Sequence, residues 1–368
     1  MPKSLLFVIR VAVGLLFIFS GLIKANDPLG LSYKMQEFFE AWNLKGLHAY
    51  TLAFAFIMNV LEVVAGVALI VGWQLKRFMW LLLGLIVFFT FLTAYVLFSG
   101  KIHACGCFGD CVPLTPVQTF TKDIILLLLS FILLFNIKKL TVINIKNGLA
   151  IVVLSLMLTT ALQVYVLNYL PIVDCLPYAK GKSILQGMQL PKNATPDEYA
   201  MIFKYKKDGK MVEFKDSIPD EVTEDTTYVF IDREDKLIKK GTGLPAITDF
   251  KLVNANGTDT TEALLKSGNK YLLIMVKDFD NINKWKNENL GLLYDEAAKK
   301  NIPIFIVTPN KEQAIKYFDE HKILLVDATV LKTAARVNPT YIFMKGDVVE
   351  NKLSFRSKDA LLKAMQLF

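Results

Sequence analysis

Five stretches of the chain carry apolar residues almost without interruption, and each approaches the roughly 20 residues that a helix needs to cross a bilayer. They are Leu5–Ile23, broken only by Arg10 and Ser20; Leu52–Val71; Phe78–Phe98; Ile124–Ile137, which borrows Val117–Phe120 to reach full length; and Leu149–Leu170. Beyond residue 170 the pattern changes. Alternating runs at Met201–Tyr205 and Tyr228–Asp232 predict strands around a turn at Asp208-Gly209. From about Gly241 the order is regular. Buried strands are expected over Tyr271–Val276, Ile302–Thr308 and Ile323–Val326, with helices over Ile282–Lys300, Lys311–Glu320 and Ala328–Arg336. A hairpin of Thr340–Met344 and Val348–Leu353 across Lys345-Gly346-Asp347 follows, and a helix over Ser357–Leu367 closes the chain. The expected fold class is an α-helical membrane bundle of five spans around a four-helix core, plus an α/β soluble domain. The expected boundaries are a membrane domain over 1–140, a fifth span within 141–170, a partly stranded connecting region over 171–240, and the regular domain over 241–368.

Composition agrees with the membrane assignment. Of 368 residues, 53% are hydrophobic, and the mean hydropathy is +0.39, well above that of ordinary globular chains. The net charge of +8 is unevenly placed: residues 1–148 hold 12 Lys and Arg against 6 Asp and Glu. Lys3 and Arg10 flank the first span, Lys76 and Arg77 lie between spans two and three, and Lys138, Lys139 and Lys146 lie between spans four and five. Alternating spans put all three places on one side, and the bias of Lys and Arg toward the cytoplasm makes that side internal. The loops at 24–50 and 99–119 and everything after the fifth span are then external. No basic stripe marks the soluble part, which argues against a nucleic-acid partner; the bilayer itself is the expected partner. The first span has a basic start but no convincing small-residue cleavage site, so it reads as an uncut anchor.

The chain has four cysteines, Cys105, Cys107, Cys111 and Cys175, and all fall on the external side. In a bacterium that is the oxidising side of the cytoplasmic membrane, where disulfides persist. Three lie within seven residues, in His103-Ala-Cys105-Gly106-Cys107-Phe108-Gly109-Asp-Cys111. Gly106 and Gly109 permit unusual backbone angles. Three neighbouring thiols can form one disulfide and leave one thiol to attack it, the geometry of exchange; His103 or Lys101 would favour the reactive thiolate. Two other readings stand beside this one. In one, Cys111 and Cys175, or a pair within the cluster, form a structural staple; in the other, His103 and the three cysteines bind a metal, although C-x-C and C-x3-C are not the usual knuckle spacing. Within span two, Glu62 is an ionisable residue at membrane depth. It serves either as a proton relay or contact for a quinone-like acceptor, or as the partner of Asn59 or of a basic residue in the bundle.

Several short motifs in residues 1–140 fall in a recognisable order: Arg10-x3-Gly14, Ser20-Gly21-x2-Lys24, Asp27-Pro28, Glu62-x3-Gly66 with Gly72, then Cys105-Gly106-Cys107-Phe108-Gly109 and Lys122-Asp123. This segment resembles the MauE branch of the DoxX-like membrane proteins. The resemblance implies a four-helix membrane bundle and a role in forming or maintaining disulfides of exported proteins, as attributed to MauE in methylamine dehydrogenase maturation. Cys111, a fifth span and a large C-terminal domain depart from the pattern and point to a more general envelope role. The order of elements after Gly241 resembles the thioredoxin-like fold of TlpA-type proteins. In that fold Pro339 would be a cis-proline beside a client-binding backbone edge. The stretch where such a domain carries its C-x-x-C is Lys277-Asp278-Phe279-Asp280-Asn281-Ile282-Asn283, which holds no cysteine.

The expectation is therefore a membrane protein of a bacterial envelope that exchanges thiols and disulfides through Cys105, Cys107, Cys111 and Cys175. His103, Gly106, Phe108, Gly109 and Glu62 would support the chemistry, and Pro339 would help hold exported clients or an envelope redox partner. A quinone is the one cofactor candidate, by analogy of architecture. The alternative is a membrane-anchored binding or scaffold protein with structural disulfides.

Overall fold

A computed structural model describes the chain apart from residues 100, 101, 103–105, 107, 141–144, 193, 196, 197, 208, 209, 220, 221, 223, 224, 226, 240, 242, 244 and 287. His103, Cys105, Cys107 and the turn at Asp208-Gly209 lie outside the described residues.

Five helices are long and apolar enough to cross a membrane. They are α1 (Lys3–Asn26), α3 (Thr51–Val71), α4 (Leu75–Ser99), α5 (Pro116–Phe135) and α6 (Ile145–Tyr169). Exposed Phe7, Val8, Leu15, Phe98 and Phe135 cover their outer faces, the inverse of a soluble bundle and the arrangement lipid requires. The chain is a membrane protein. Local signals fix the ends. Gly72 closes α3 in the left-handed conformation at φ 81°. Thr115 and Gln118 form a reciprocal capping box at the start of α5, with Pro116 in the first turn. Helices α1 and α3 touch backbone to backbone: a Cβ on Gly66 would lie 2.7 Å from the carbonyl oxygen of Gly14.

One helix was not expected. The stretch read as a loop at 24–50 contains α2 (Pro28–Ala41). Its mixed charges hide the apolar face made by Leu31 and Met35, which packs on Ala55 of α3. The start signal is present in the sequence: Asp27 accepts from the Gly30 amide at 3.0 Å, and Pro28 occupies the first turn.

The chain divides into two compact units, one of Met1–Gly181 with Lys251–Phe368 and one of Lys182–Phe250. The smaller unit holds α7 (Ile184–Met188) and an antiparallel sheet of β1 (Glu198–Lys207), β2 (Lys210–Lys215) and β3 (Val229–Lys239), in the order β2-β1-β3. The C-terminal part of the larger unit is α/β. Its strands are β4 (Val253–Asn254), β5 (Lys270–Met275), β6 (Ile304–Thr308), β7 (Ile323–Leu325), β8 (Thr340–Lys345) and β9 (Val348–Ser354), in the order β4-β7-β6-β5-β8-β9. Strands β5, β6 and β7 are parallel, and β8 and β9 are antiparallel. The helices are α8 (Thr261–Leu265), α9 (Glu288–Lys299), α10 (Lys311–Ala314), α11 (Ala328–Ala334) and α12 (Lys358–Leu367).

Two expected helices are shorter than their sequence pattern. Residues Ile282–Lys284 form a 3-10 turn rather than the start of α9, and this turn buries both Ile282 and Trp285. Helix α10 stops at Ala314, and Phe318 turns inward to stack on Trp285 at 5.9 Å between ring centroids. Aromatic packing overrides helical periodicity at both places.

Candidate functional site

The cysteine loop, the end of α1 and the chain leaving α6 meet at one end of the bundle. Asn26 ties the last two together: its Nδ2 donates to the Val173 carbonyl at 2.8 Å and its Oδ1 accepts from the Ile172 amide at 2.9 Å. In the loop, Gly106 and Gly109 have φ of 72° and 56°, and the Gly109 amide donates to the Gly106 carbonyl at 2.9 Å. A side chain at Gly106 would be strained by that φ and would also meet Lys34. Phe108 is buried between Phe19, 5.8 Å away, and the Lys122 ammonium, 4.5 Å above its ring. Cys111 is bonded to Cys175, with Cα atoms 4.9 Å apart, across 64 positions of sequence. The loop is thereby stapled to the chain beyond α6. A bonded Cys111 cannot serve as a thiolate metal ligand, and Cys175 in this state is a bridge partner, not a free thiol.

The C-terminal domain presents its cis-proline end to this surface. The Asn338–Pro339 bond is cis, in the position expected for Pro339. Asn338 clamps the segment after β5: its Oδ1 accepts from the Lys277 amide and its Nδ2 donates to the Asp278 carbonyl, each at 2.9 Å. The Lys277 ammonium lies 3.3 Å from both the Tyr33 hydroxyl of α2 and the Arg336 carbonyl. Burial, with Arg336 nearby, lowers its pKa to about 8. Burial likewise raises Tyr33 above the usual phenol value.

Sequence reasoning missed the ion pairs that hold these parts together. Arg336, 5% exposed, binds both carboxylate oxygens of Asp27 at 2.8–2.9 Å and lies 3.6 Å from Asp110. Burial raises the Asp110 carboxyl, and Arg336 only partly offsets it. On the other side of the disulfide, Lys352 of β9 bonds Asp174 at 2.8 Å. Each bridged cysteine thus follows an aspartate, Asp110-Cys111 and Asp174-Cys175, and each aspartate meets a buried cation of the C-terminal domain. The repeated Asp-Cys dipeptide was the available signal. A polar cavity of about 220 Å³ lies at this junction, lined among others by Asp27, Tyr33, Lys34, Gly106 and Arg336.

Below it, within the bundle, Glu62 is 1% exposed and paired with Lys24 of α1. Asn59 bonds Gln163 of α6 instead, at 3.0 Å. Of the two structural partners expected for Glu62, the basic one is therefore realised.

Comparisons with known proteins match separate parts of the chain. The family model for methylamine utilisation protein MauE matches residues 2–136. A second family, described as a domain of unknown function (DUF8463), matches residues 199–240 within the smaller unit. A curated relative named Protein TlpB, from Flavobacterium psychrophilum, is 27% identical over 164 residues, which is 44% of this chain and 44% of that protein. No solved structure matches. Residues 2–136 are a MauE-like membrane segment, fused to a C-terminal domain that is α/β in build.

Proposed function

We propose that the protein exchanges thiols and disulfides with exported polypeptides on the outer side of a bacterial cytoplasmic membrane. Cys105 and Cys107 of the loop are the reacting pair, and the thioredoxin-like C-terminal domain holds the client or redox partner. One observation carries this reading. Gly106, which separates the two cysteines in the chain, lines the same cavity as Arg336, close in sequence to the cis-Pro339. The segment Lys277–Asn283, where a thioredoxin-like domain would carry its own cysteines, has none. A domain of this build without its own cysteines would draw its thiols from the membrane loop. In the exchange, a loop thiolate attacks a client disulfide, one client thiolate leaves, and the second loop thiol resolves the mixed disulfide. The loop ends oxidised and the client reduced, and the reverse sequence oxidises a client.

The test is trapping. Single Cys105→Ser and Cys107→Ser variants, expressed as full chains, should accumulate mixed disulfides with exported proteins that vanish under reductant. If neither variant traps a partner, and the double variant leaves the thiol state of exported proteins unchanged, the proposal fails.

The Cys111–Cys175 bond favours a second reading, a membrane-anchored binding protein whose cysteines staple its loops. Mass mapping under graded reductant separates the two. In the scaffold reading every bridge opens only with unfolding, whereas exchange requires Cys105 and Cys107 to change state while Cys111–Cys175 stays closed.

A further inference from the structure

Three cations of the C-terminal domain converge on one aromatic ring of α2. The centroid of the Tyr33 ring lies 5.4 Å from the Arg336 guanidinium carbon, 5.7 Å from the Lys332 ammonium and 5.9 Å from the Lys277 ammonium. Cations at such distances are attracted by the electron-rich face of a ring. Beside the ring, Asp27 takes the Arg336 guanidinium through both carboxylate oxygens, and Asp110 lies 3.6 Å from the same group. One aromatic ring and two carboxylates on the bundle side thus answer three cations of the domain.

These cations surround the cis-proline end. Lys277 lies just after β5, the exposed Lys332 is on α11, and Arg336 lies between α11 and the cis-Pro339. Gathered cations repel one another, and Lys277 feels both Arg336 and Lys332 in this way. Of the carboxylates that offset them at Lys277, Asp278 is the domain's own and Asp27 belongs to the bundle. The end of the domain is therefore short of negative charge unless something outside it supplies a carboxylate.

The supplier at present is α2, and its hold is polar. The large apolar cluster of the bundle and that of the domain share no residue. The cavity of about 220 Å³ beside Tyr33 and Arg336 leaves the junction incompletely filled. Interfaces of this kind between parts of one chain resemble transient protein contacts and permit relative motion.

We propose that the Lys277, Lys332 and Arg336 end of the C-terminal domain is a binding site for exported segments that present an aromatic ring beside a carboxylate, and that α2 occupies it as a built-in competitor through Tyr33 and Asp27. This inference deepens the reading above: it rests on the domain's holding the client and not on the thiol chemistry. An incoming segment replaces α2 group for group. Its ring takes the place of Tyr33 among the cations, and its carboxylate takes the place of Asp27 against Arg336. The buried guanidinium then always has a near carboxylate, whereas a ligand with the ring alone would leave it poorly paired, which is costly. A segment with both groups is therefore preferred to one with either.

The test uses the purified full chain in detergent. The probe is a fluorescent peptide with the sequence of residues 27–41, which contains no cysteine, beside versions carrying Tyr33→Leu or Asp27→Asn. Fluorescence anisotropy compares the wild-type chain with Tyr33→Ala and Tyr33→Ala/Lys332→Glu chains. Intact Cys111–Cys175 and a single cooperative unfolding transition verify the fold, and Tyr33→Leu, which keeps the bulk, takes the place of Tyr33→Ala if that variant does not fold. The Tyr33 variant should bind the parent peptide on the order of tenfold or more tighter than the wild type, because its site is open for a larger fraction of the time. Lys332→Glu should cancel the gain, and both altered peptides should bind weakly to every chain. Equal affinities in the wild type and the folded Tyr33 variant, or a gain that survives Lys332→Glu, overturn the site and leave thiol exchange standing. Binding as expected, with no partner trapped by the Cys105 and Cys107 variants, supports the site and overturns the exchange.

Discussion

Arg336 grips Asp27 as a fork. Its Nε lies 2.9 Å from each carboxylate oxygen and its Nη2 lies 2.8 Å from Oδ2, joining residues 309 positions apart. The same Asp27 caps α2 through the Gly30 amide, so one carboxylate both starts a helix and receives the C-terminal domain. Removing it leaves the buried guanidinium only the more distant Asp110 and the Lys332 carbonyl, which costs at most about 3–5 kcal/mol, the figure for a fully unpaired buried charge, and loses a cap worth about 1 kcal/mol. Asp27→Ala is therefore expected to destabilise the C-terminal domain strongly and to open its α11 edge to protease. Arg336→Lys keeps the charge but loses the fork, and should fall between the two. Thermal unfolding of the purified full chain, with limited proteolysis, reads both effects.

Lys277 sets a pH dependence. Burial, reinforced by Arg336, lowers its pKa to about 8 from an ordinary value of 10.5. Between those values the unfolded chain holds a proton that the folded chain does not, so stability rises with pH across the window and the penalty is complete below about pH 8. Asp110, raised by burial, acts only in the acid range. Tyr33, also raised, opposes the rise only above ordinary phenol ionisation. The thermal midpoint should therefore stay level from neutral pH to about pH 8 and climb above it, and Lys277→Met should flatten that climb.

Much of this arrangement is legible in the sequence, and the part that is not has a physical reason. The spans are continuous apolar runs, so their ends shifted by only a few residues; the fourth needed Pro116 and the Thr115 cap to be seen whole. The cis bond at Pro339 was readable only through the resemblance of the element order around it to a thioredoxin-like fold. Glu62 was readable as an oddity, though not its partner Lys24, because pairing across 38 positions leaves no local trace. Asp27, Arg336, Asp174 and Lys352 belong to the same class. Each is an ordinary charged residue until the fold buries it against a partner more than 170 positions away. The inward turns of Trp285 and Phe318 were hidden for the opposite reason: helical periodicity continued through residues that aromatic packing took for itself.

Close contact of α1 and α3 depends on having no side chain at Gly66. A Cβ there would meet the Gly14 carbonyl at 2.7 Å and Ile18 Cγ1 at 2.8 Å, and neither a carbonyl nor a core side chain can yield cheaply. Gly66→Leu should push the helices apart, disturb the Lys24–Glu62 pair between them, and lower the yield of folded protein in detergent. Gly84→Leu is the control, since nothing lies within 4 Å of a Cβ at that position. Size-exclusion profiles and folded yield after solubilisation compare the two, and equal yields would mean that the α1–α3 contact tolerates separation.

The Cys111–Cys175 bridge makes a structural prediction independent of any exchange chemistry. It closes a loop of 64 positions that contains spans α5 and α6, for which chain entropy alone gives about 4 kcal/mol relative to the open chain. The bilayer already restrains the ends of those spans, so the observed gain should be smaller than that figure. Both cysteines adjoin aspartates that meet Arg336 and Lys352, so the loss should appear first where the C-terminal domain rests on the bundle. Cys111→Ser and Cys175→Ser are each expected to speed proteolysis between residues 171 and 181 and to leave the bundle intact. The double variant should match either single one, because each single change already removes the whole bridge. A double variant clearly worse than both would mean that the two cysteines act separately and that the bridge is not the state that holds the loop.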